Sequence, residues 1–111
     1  FQIPLCADET AHTSKGLEEL ASKYDFVNIK LDKTGGLTHA IEMKQRAEKL
    51  GLGIFVGCMV ASSLAMAPAC LLAQNATYVD LDGPLLLSQD RENGMSYEGS
   101  TLYPATRNLW G

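Results

Sequence analysis

The chain has 111 residues, 46% of them hydrophobic and 20% charged, and a formal net charge of −4. This length suffices for one modest domain with a buried core and is too short for two. The composition is that of a globular protein rather than a disordered one. The acidic balance gives no reason to expect nucleic acid or an anionic membrane as a partner. No apolar run approaches the roughly 20 residues that span a bilayer.

The cysteines, Cys6, Cys58 and Cys70, show no C-x-x-C spacing. Their odd number predicts neither a disulfide framework nor a zinc knuckle, and it suits a reducing compartment. We therefore expect a cytoplasmic protein. The two histidines, His12 and His39, lie far apart in or beside predicted helices, and we interpret them as surface or capping residues.

The N-terminal region predicts a strand followed by a helix. Residues 2–8 alternate between two faces and end at Asp8, which falls at the carboxyl end of the strand. Residues 13–24 then carry apolar side chains at helical spacing, with Thr13 or Ser14 available as the N-cap.

The strictest alternation in the chain runs over residues 27–32, where the polar positions are Asn28, Lys30 and Asp32. Helical patterns before and after this strand predict a β-α-β series whose helices cover the apolar face. The polar face then points into a barrel or crevice, where a lysine is unfavourable unless it has a partner or a function. Lys30 is therefore the first candidate for chemistry. Lys33 falls on the helix-facing side of the strand, and we assign it to structure.

The remaining pattern continues this series. Residues 37–50 predict a helix, 53–59 a buried strand, 61–72 a buried helix and 77–82 a last strand. After residue 83 the pattern changes to a loop and a short hairpin-like return. The sequence thus predicts an α/β fold with four parallel strands and three crossover helices.

Candidate functional residues gather at the predicted strand ends. In the last strand, Val79 and Leu81 are expected to face the helices, and Asp80 and Asp82 the same interior as Lys30. Because the carboxyl ends of parallel strands meet at one edge, a site is predicted there from Asp8, Lys30, Asp80 and Asp82, with Cys58 at the end of the third strand. A set of solvated rim charges or a buried salt-bridge network is the alternative interpretation.

Four blocks of the sequence, in order and spacing, resemble one family: Ala7-Asp8-Glu9, Asn28-Ile29-Lys30-Leu31-x-Lys33-x-Gly35-Gly36, Gly57-Cys58-Met59 and Asp80-Leu81-Asp82-Gly83-Pro84. They resemble the enolase superfamily, within it the muconate-lactonizing-enzyme subgroup, and most closely the L-Ala-D/L-Glu dipeptide epimerases. The resemblance implies a modified TIM-type (β/α) barrel with a capping domain. Residues 1–84 would be strands five to eight of the barrel, and residues 85–111 a C-terminal segment contributing to the cap.

The resemblance also implies a role for each site residue. Asp8 matches a carboxylate ligand of Mg²⁺, and Lys30 matches the general acid/base of the sixth strand. The substrate is expected to contact Asp80, Asp82, Cys58 and Met59, the two aspartates through its ammonium group.

The implied activity is a Mg²⁺-dependent epimerisation in cell wall peptide metabolism, in which two bases invert the α carbon of a dipeptide's second residue through an enediolate. The proton on this α carbon is weakly acidic. Its removal therefore needs a metal that stabilises the developing negative charge and a base placed against the carbon. The opposing base and the family's other metal ligands are missing from this sequence. We therefore expect an incomplete C-terminal fragment that is inactive alone, and we leave homo-oligomerisation of the whole protein open.

Three alternatives stay open. Another enzyme of the subgroup, a muconate cycloisomerase or an o-succinylbenzoate synthase, is disfavoured by Asp80 and Asp82, because its anionic substrate carries no ammonium. A Schiff-base barrel enzyme would use Lys30 as its nucleophile. A non-catalytic α/β module would leave the polar strand faces merely solvated.

Overall fold

The fold is built on a parallel sheet, as the computed structural model of residues 2–111 shows. Phe1, the first residue of the expected barrel segment, lies outside the described residues. The sheet has four strands in the order β1-β2-β3-β4, namely Cys6–Ala7, Phe26–Ile29, Gly53–Val56 and Tyr78–Val79. All three pairings are parallel. The predicted α/β architecture with four parallel strands is therefore confirmed.

Helices connect the successive strands. They are α1 (Leu17–Ala21), α2 (Leu31–Thr34), α3 (Leu37–Lys49) and α4 (Ser63–Leu72). The core lies between sheet and helices, where Ala40, Met43 and Ala47 of α3 are buried together with Val27 and Ile29 of β2. No helix among residues 2–111 is long and apolar enough to cross a membrane.

The strand predicted over residues 27–32 is shorter than expected. It ends at Ile29, and the next residues form α2, a single helical turn. The Lys30 carbonyl accepts hydrogen bonds from the amides of Lys33 and Thr34 at 3.0 and 3.1 Å. Gly35 then ends the turn with a φ of 80°, a left-handed conformation that favours glycine. Because of this turn, the Lys33 side chain is directed toward Asp8 at the end of β1.

The first helix also differs from its prediction over residues 13–24. It covers only Leu17–Ala21, and its N-cap is Gly16, with a φ of 78° and no side-chain cap. Thr13 instead accepts a hydrogen bond from the Lys15 amide at 3.3 Å. The predicted caps at Thr13 and Ser14 were therefore wrong, because the chain turns locally before the helix begins.

The last strand is reduced to two residues and lies at the edge of the sheet. Leu81 is buried as predicted, whereas Val79 is 51% exposed, so the cover over this face is incomplete at Val79. Periodicity identifies a face but not whether another element covers it. Val79 lines an open cleft with Cys70 and Ala73 at the C-terminal end of α4.

The C-terminal region forms its own small sheet. A 3-10 helix, Gly83–Leu86, leads into a loop, and β5 (Tyr97–Glu98) pairs antiparallel with β6 (Thr101–Leu102). The predicted hairpin-like return is thus present. Tyr97 ties it to the segment that follows β4 by donating a hydrogen bond to the Leu81 carbonyl at 2.6 Å. Burial raises the pKa of Tyr97 to about 12, which keeps this donor protonated.

Candidate active site at the carboxyl ends of the strands

Lys30 follows directly after β2, in the last extended position before α2. Its backbone has a φ of −123° and a ψ of 130°, so its side chain continues the alternation of the strand and lies on the same face as Asn28. The side chain is 12% exposed, and its Nζ lies 3.1 Å from Oδ2 of Asp8. The extended backbone at Lys30 therefore brings its ammonium to the end of the neighbouring strand, β1.

Asp8 is the centre of a small polar network, which we call the Asp8 network: Asp8, Asn28, Lys30 and Lys33. Its Oδ1 accepts a hydrogen bond from Lys33 Nζ at 2.8 Å, and its Oδ2 accepts one from Asn28 Nδ2 at 3.2 Å. Partial burial raises the pKa of the Asp8 carboxyl, but the hydrogen bonds from Lys33 and Lys30 outweigh it, so the pKa lies below its usual value. Asp8 is thus an anion near neutral pH.

Lys33 is the most enclosed member of the network, with a side chain only 8% exposed. Its Nζ donates to the Asp8 carbonyl at 2.6 Å, to Asp8 Oδ1 at 2.8 Å and to the Asn28 carbonyl at 3.0 Å. An ammonium has three N–H donors, and all three are used here. The expectation that Lys33 lies on the helix-facing side was wrong, because the helical turn of α2 carries it back over the strand end.

Cys58 and Met59 follow β3. Burial raises the pKa of the Cys58 thiol, and the nearby carboxylates of Asp80 and Asp82 raise it further, so the thiol is neutral near pH 7. Met59 is 52% exposed. These residues offer a neutral sulfur surface beside the strand ends.

Asp80 and Asp82 follow β4, and both are exposed. The amide of Asp80 donates a hydrogen bond to the carbonyl of Val56 in β3 at 2.9 Å. This bond holds the segment after β4 beside the third strand. Neither carboxylate forms an ion pair or a hydrogen bond with the Asp8 network among residues 2–111. The predicted site residues therefore fall into two groups: Lys30 and Asp8 are in direct contact, whereas Asp80 and Asp82 lie near Cys58.

A metal ion would find only part of its ligands here. Residues 2–111 contain no group of three or more His, Cys, Asp or Glu side chains placed to hold one. Asp8 nevertheless fits as a single ligand, because it is an ionised carboxylate, the donor that Mg²⁺ prefers, and its side chain is 35% exposed. Asp8 could thus give one carboxylate oxygen to a metal ion, and residues 2–111 offer no further clustered ligands of these types.

Two members of the Asp8 network, Asn28 and Lys33, are not among the predicted site residues. Asn28 could have been found from its spacing, since it precedes Lys30 by two positions and shares its face. Lys33 could have been found only by recognising the glycine pair at 35 and 36 as the end of a helical turn, which places positions three apart on one side.

This fold and these strand ends define a parallel α/β domain of the barrel type. The sequence model described as enolase C-terminal domain-like matches residues 1–104. The chain belongs to the enolase C-terminal domain-like family, and the resemblance drawn from the four sequence blocks is confirmed.

Curated relatives are named racemases and epimerases. The chain is 56% identical over 109 residues to an N-acetyl-D-glutamate racemase from Pseudoalteromonas sp, a match covering 98% of this chain and 35% of the relative. It is 41% identical over 101 residues to the L-Ala-D/L-Glu epimerase of Escherichia coli (strain K12), covering 91% of this chain and 32% of the relative. The chain therefore spans about a third of the length of these curated relatives.

A solved structure has a closely similar fold. An enolase family member from Agrobacterium tumefaciens, with homology to dipeptide epimerases, matches with a TM-score of 0.95 and 57% sequence identity. The match covers 98% of this chain and 33% of that one, and that structure holds sodium and L-Ala-L-Glu.

Proposed function

We propose that the whole protein is a Mg²⁺-dependent dipeptide epimerase of the L-Ala-D/L-Glu type, and that this chain forms the C-terminal part of its catalytic barrel. The observation that carries the proposal is the contact between Lys30 Nζ and Asp8 Oδ2 at 3.1 Å, at the carboxyl ends of two adjacent strands. Residues 1–84 would belong to the barrel and residues 85–111 to the capping domain. In support, β5 and β6 form a sheet separate from the parallel one.

The chemistry assigned to the chain is proton transfer by Lys30. As a neutral amine it would take the α proton of the substrate's second residue, and as an ammonium it would return a proton to the same face. Asp8 would give one oxygen to Mg²⁺, which when bound stabilises the negative charge that develops on the substrate carboxylate. Inversion needs a second base on the opposite face. We assign that base and the other metal ligands to the part of the relatives that this chain does not span.

The substrate would be held at the ends of β3 and β4. The exposed carboxylates of Asp80 and Asp82 are free to pair with the ammonium of a dipeptide's first residue. Cys58 and Met59 would contact an uncharged part of the same molecule. Desolvating an ammonium against two carboxylates would favour a free amino terminus over a blocked one.

A second candidate is racemisation of an N-acylated glutamate. It is favoured by one observation, the 56% identity to a relative named N-acetyl-D-glutamate racemase. The proton transfer at Lys30 would be the same in both reactions. The substrates differ at the group beside Asp80 and Asp82, which is an ammonium in the dipeptide and a neutral acetamide in the N-acetylated amino acid.

A direct test uses the full-length protein with Mg²⁺, L-Ala-L-Glu and N-acetyl-L-glutamate in D₂O. We expect inversion of the dipeptide's glutamate, with solvent deuterium entering its α position as detected by NMR, and a kcat/KM at least about tenfold lower for the N-acetylated compound. Inversion without deuterium uptake would overturn the proton-transfer mechanism. Inversion of N-acetylglutamate without inversion of the dipeptide would favour the second candidate, racemisation of an N-acylated glutamate, over dipeptide epimerisation.

The matched variant is Asp80→Asn combined with Asp82→Asn. It should raise KM for the dipeptide by on the order of tenfold or more, because a charge-assisted contact to the ammonium is lost, and change KM for N-acetylglutamate far less. Glu42→Gln combined with Glu92→Gln removes the same charge from exposed positions outside the site. Equal losses for both substrates in the Asp80/Asp82 variant would make that pair structural.

A further inference from the structure

Asn28 is the one amide in the buried part of β2. It lies between Val27 and Ile29, both fully buried, and is itself only 6% exposed. A buried amide destabilises a fold unless its donors and acceptor find partners. An apolar side chain of similar size at this position would avoid that cost.

The orientation of the amide is set by Asp8. Asn28 Nδ2 lies 3.2 Å from Asp8 Oδ2, and an ionised carboxylate only accepts hydrogen bonds, so the nitrogen must face it. The other end of the amide, Oδ1, is then buried without a hydrogen-bond partner among residues 2–111. The contact with Asp8 is thus made although it leaves a buried acceptor unpaired.

Gly57, which follows β3, leaves the space that this amide occupies. A Cβ at position 57 would lie 2.6 Å from Asn28 Oδ1 and 3.0 Å from Nδ2, closer than side-chain atoms approach one another. The Gly57 backbone cannot retreat freely, because its amide donates to the Ile29 carbonyl at 3.1 Å. Any side chain at position 57 would therefore displace the Asn28 amide, and with it the hydrogen bond to Asp8.

We infer that Asn28 is a positioning residue for the Asp8 carboxylate, and that Gly57 acts through it by leaving room for its amide; the inference rests on the proposed function. Asp8 Oδ2 is shared by Asn28 and Lys30, and the Asn28 carbonyl also accepts from Lys33. Asn28 thus contacts Asp8 through its side chain and Lys33 through its backbone carbonyl. Its neutral donor holds Asp8 while Lys30 moves toward a substrate.

The test is a double-mutant cycle in the full-length protein, with Mg²⁺ affinity measured by calorimetry and kcat and KM by NMR. Asn28→Ala and Gly57→Ala should each weaken Mg²⁺ binding by roughly tenfold or more and lower kcat, with KM for L-Ala-L-Glu changed by less than about twofold. The double variant should be no worse than Asn28→Ala alone, because Gly57→Ala has no amide left to displace.

Two further variants separate positioning from folding. Asn28→Leu fills the space and removes the unpaired carbonyl, so it should unfold at the same or a higher temperature than the parent while losing Mg²⁺ affinity like Asn28→Ala. Gly53→Ala makes a similar clash at the other end of β3, where a Cβ would lie 2.2 Å from the Phe26 ring. It should lower the unfolding temperature and leave Mg²⁺ affinity unchanged.

Full Mg²⁺ affinity and kcat in Asn28→Leu would overturn the inference. So would equal losses of Mg²⁺ affinity in Gly53→Ala and Gly57→Ala, or additive effects of the Asn28 and Gly57 variants. A parent protein that binds Mg²⁺ but inverts neither substrate would overturn the proposed function instead, and the Mg²⁺ affinities of the variants would still decide the role of Asn28.

Discussion

Lys30 and Lys33 contact the same carboxylate from two sides, and their surroundings separate their roles. Lys33 has all three of its donors occupied by Asp8 and by the Asn28 carbonyl. Lys30 has a single contact to Asp8 among the described residues, which leaves it able to reach another group. A lysine whose donors are all used holds a structure in place, whereas a lysine with free donors can serve a substrate.

Under the proposed function, Lys30→Ala in the full-length protein should lower epimerisation by roughly 10²–10⁴-fold, because one of the two proposed bases is lost. The opposing base can still exchange the α proton of the epimer that presents it. NMR in D₂O should therefore show deuterium entering one epimer and not the other. Lys30→Arg should not restore inversion, because a guanidinium stays protonated near neutral pH.

The matched variant Lys33→Ala should behave differently. It removes hydrogen bonds to Asp8 and should destabilise the fold by about 2 kcal/mol. It should also slow the exchange of solvent deuterium into both epimers to the same extent. Retained inversion at the parental rate in Lys30→Ala, with Mg²⁺ still bound, would rule out Lys30 as the base.

At the scale of elements, α4 begins on a contact supplied by the C-terminal loop. Its N-cap, Ser62, makes no side-chain cap, and Asp90 instead accepts hydrogen bonds from the Ser63 amide at 2.9 Å and from the Ser63 hydroxyl. The Ser63 hydroxyl in turn accepts from the Met95 amide at 2.8 Å. Asp90 therefore caps the helix and holds the loop against it.

Partial burial raises the pKa of the Asp90 carboxyl, but the hydrogen bonds from Ser63 outweigh it, so the pKa in the folded protein is lowered. A lowered carboxyl pKa stabilises the fold above the unfolded pKa of about 3.9 and stops doing so as the pH falls through the folded value. Asp90→Ala should thus destabilise the full-length protein by about 1 kcal/mol at neutral pH and by less below about pH 4.

The measurement is chemical unfolding across this pH range, with Glu92→Ala as a control from the same exposed loop. A destabilisation by Asp90→Ala that is independent of pH would mean that the carboxylate charge plays no part in the cap.

At the scale of the whole molecule, the parallel sheet has β1 at one edge and β4 at the other. Apolar side chains are exposed beside both edges, with Leu5 46% and Val79 51% exposed. Unpaired strand edges beside exposed apolar side chains favour association between chains. The sheet described here is therefore suited to contact with further protein.

We expect the chain of 111 residues, produced by itself, to associate as its concentration rises in sedimentation velocity experiments. Val79→Lys should weaken this association by placing a charge at the β4 edge. Leu71→Lys is the matched control, because Leu71 is 54% exposed but lies on α4. A monomer at every concentration, or equal effects of the two substitutions, would contradict the role of the edge.

The order of strands and helices was predictable from the sequence alone. The alternation around Val27 and Ile29 and the helical spacing of Ala40, Met43 and Ala47 each identify a core face, because burial follows the period of the local structure. The same period identifies Lys30 as a polar residue on the inner face of a strand.

Tertiary structure decided the ends of the elements and the partners at the site. Strands β1 and β4 are only two residues long because a strand continues only where a neighbour pairs with it, which periodicity does not reveal. The α2 turn placed Lys33 beside Asp8, and the close approach of Gly57 seated Asn28. These contacts join residues up to 29 positions apart, and such distances depend on the packing of β1, β2 and β3 against one another rather than on any local pattern.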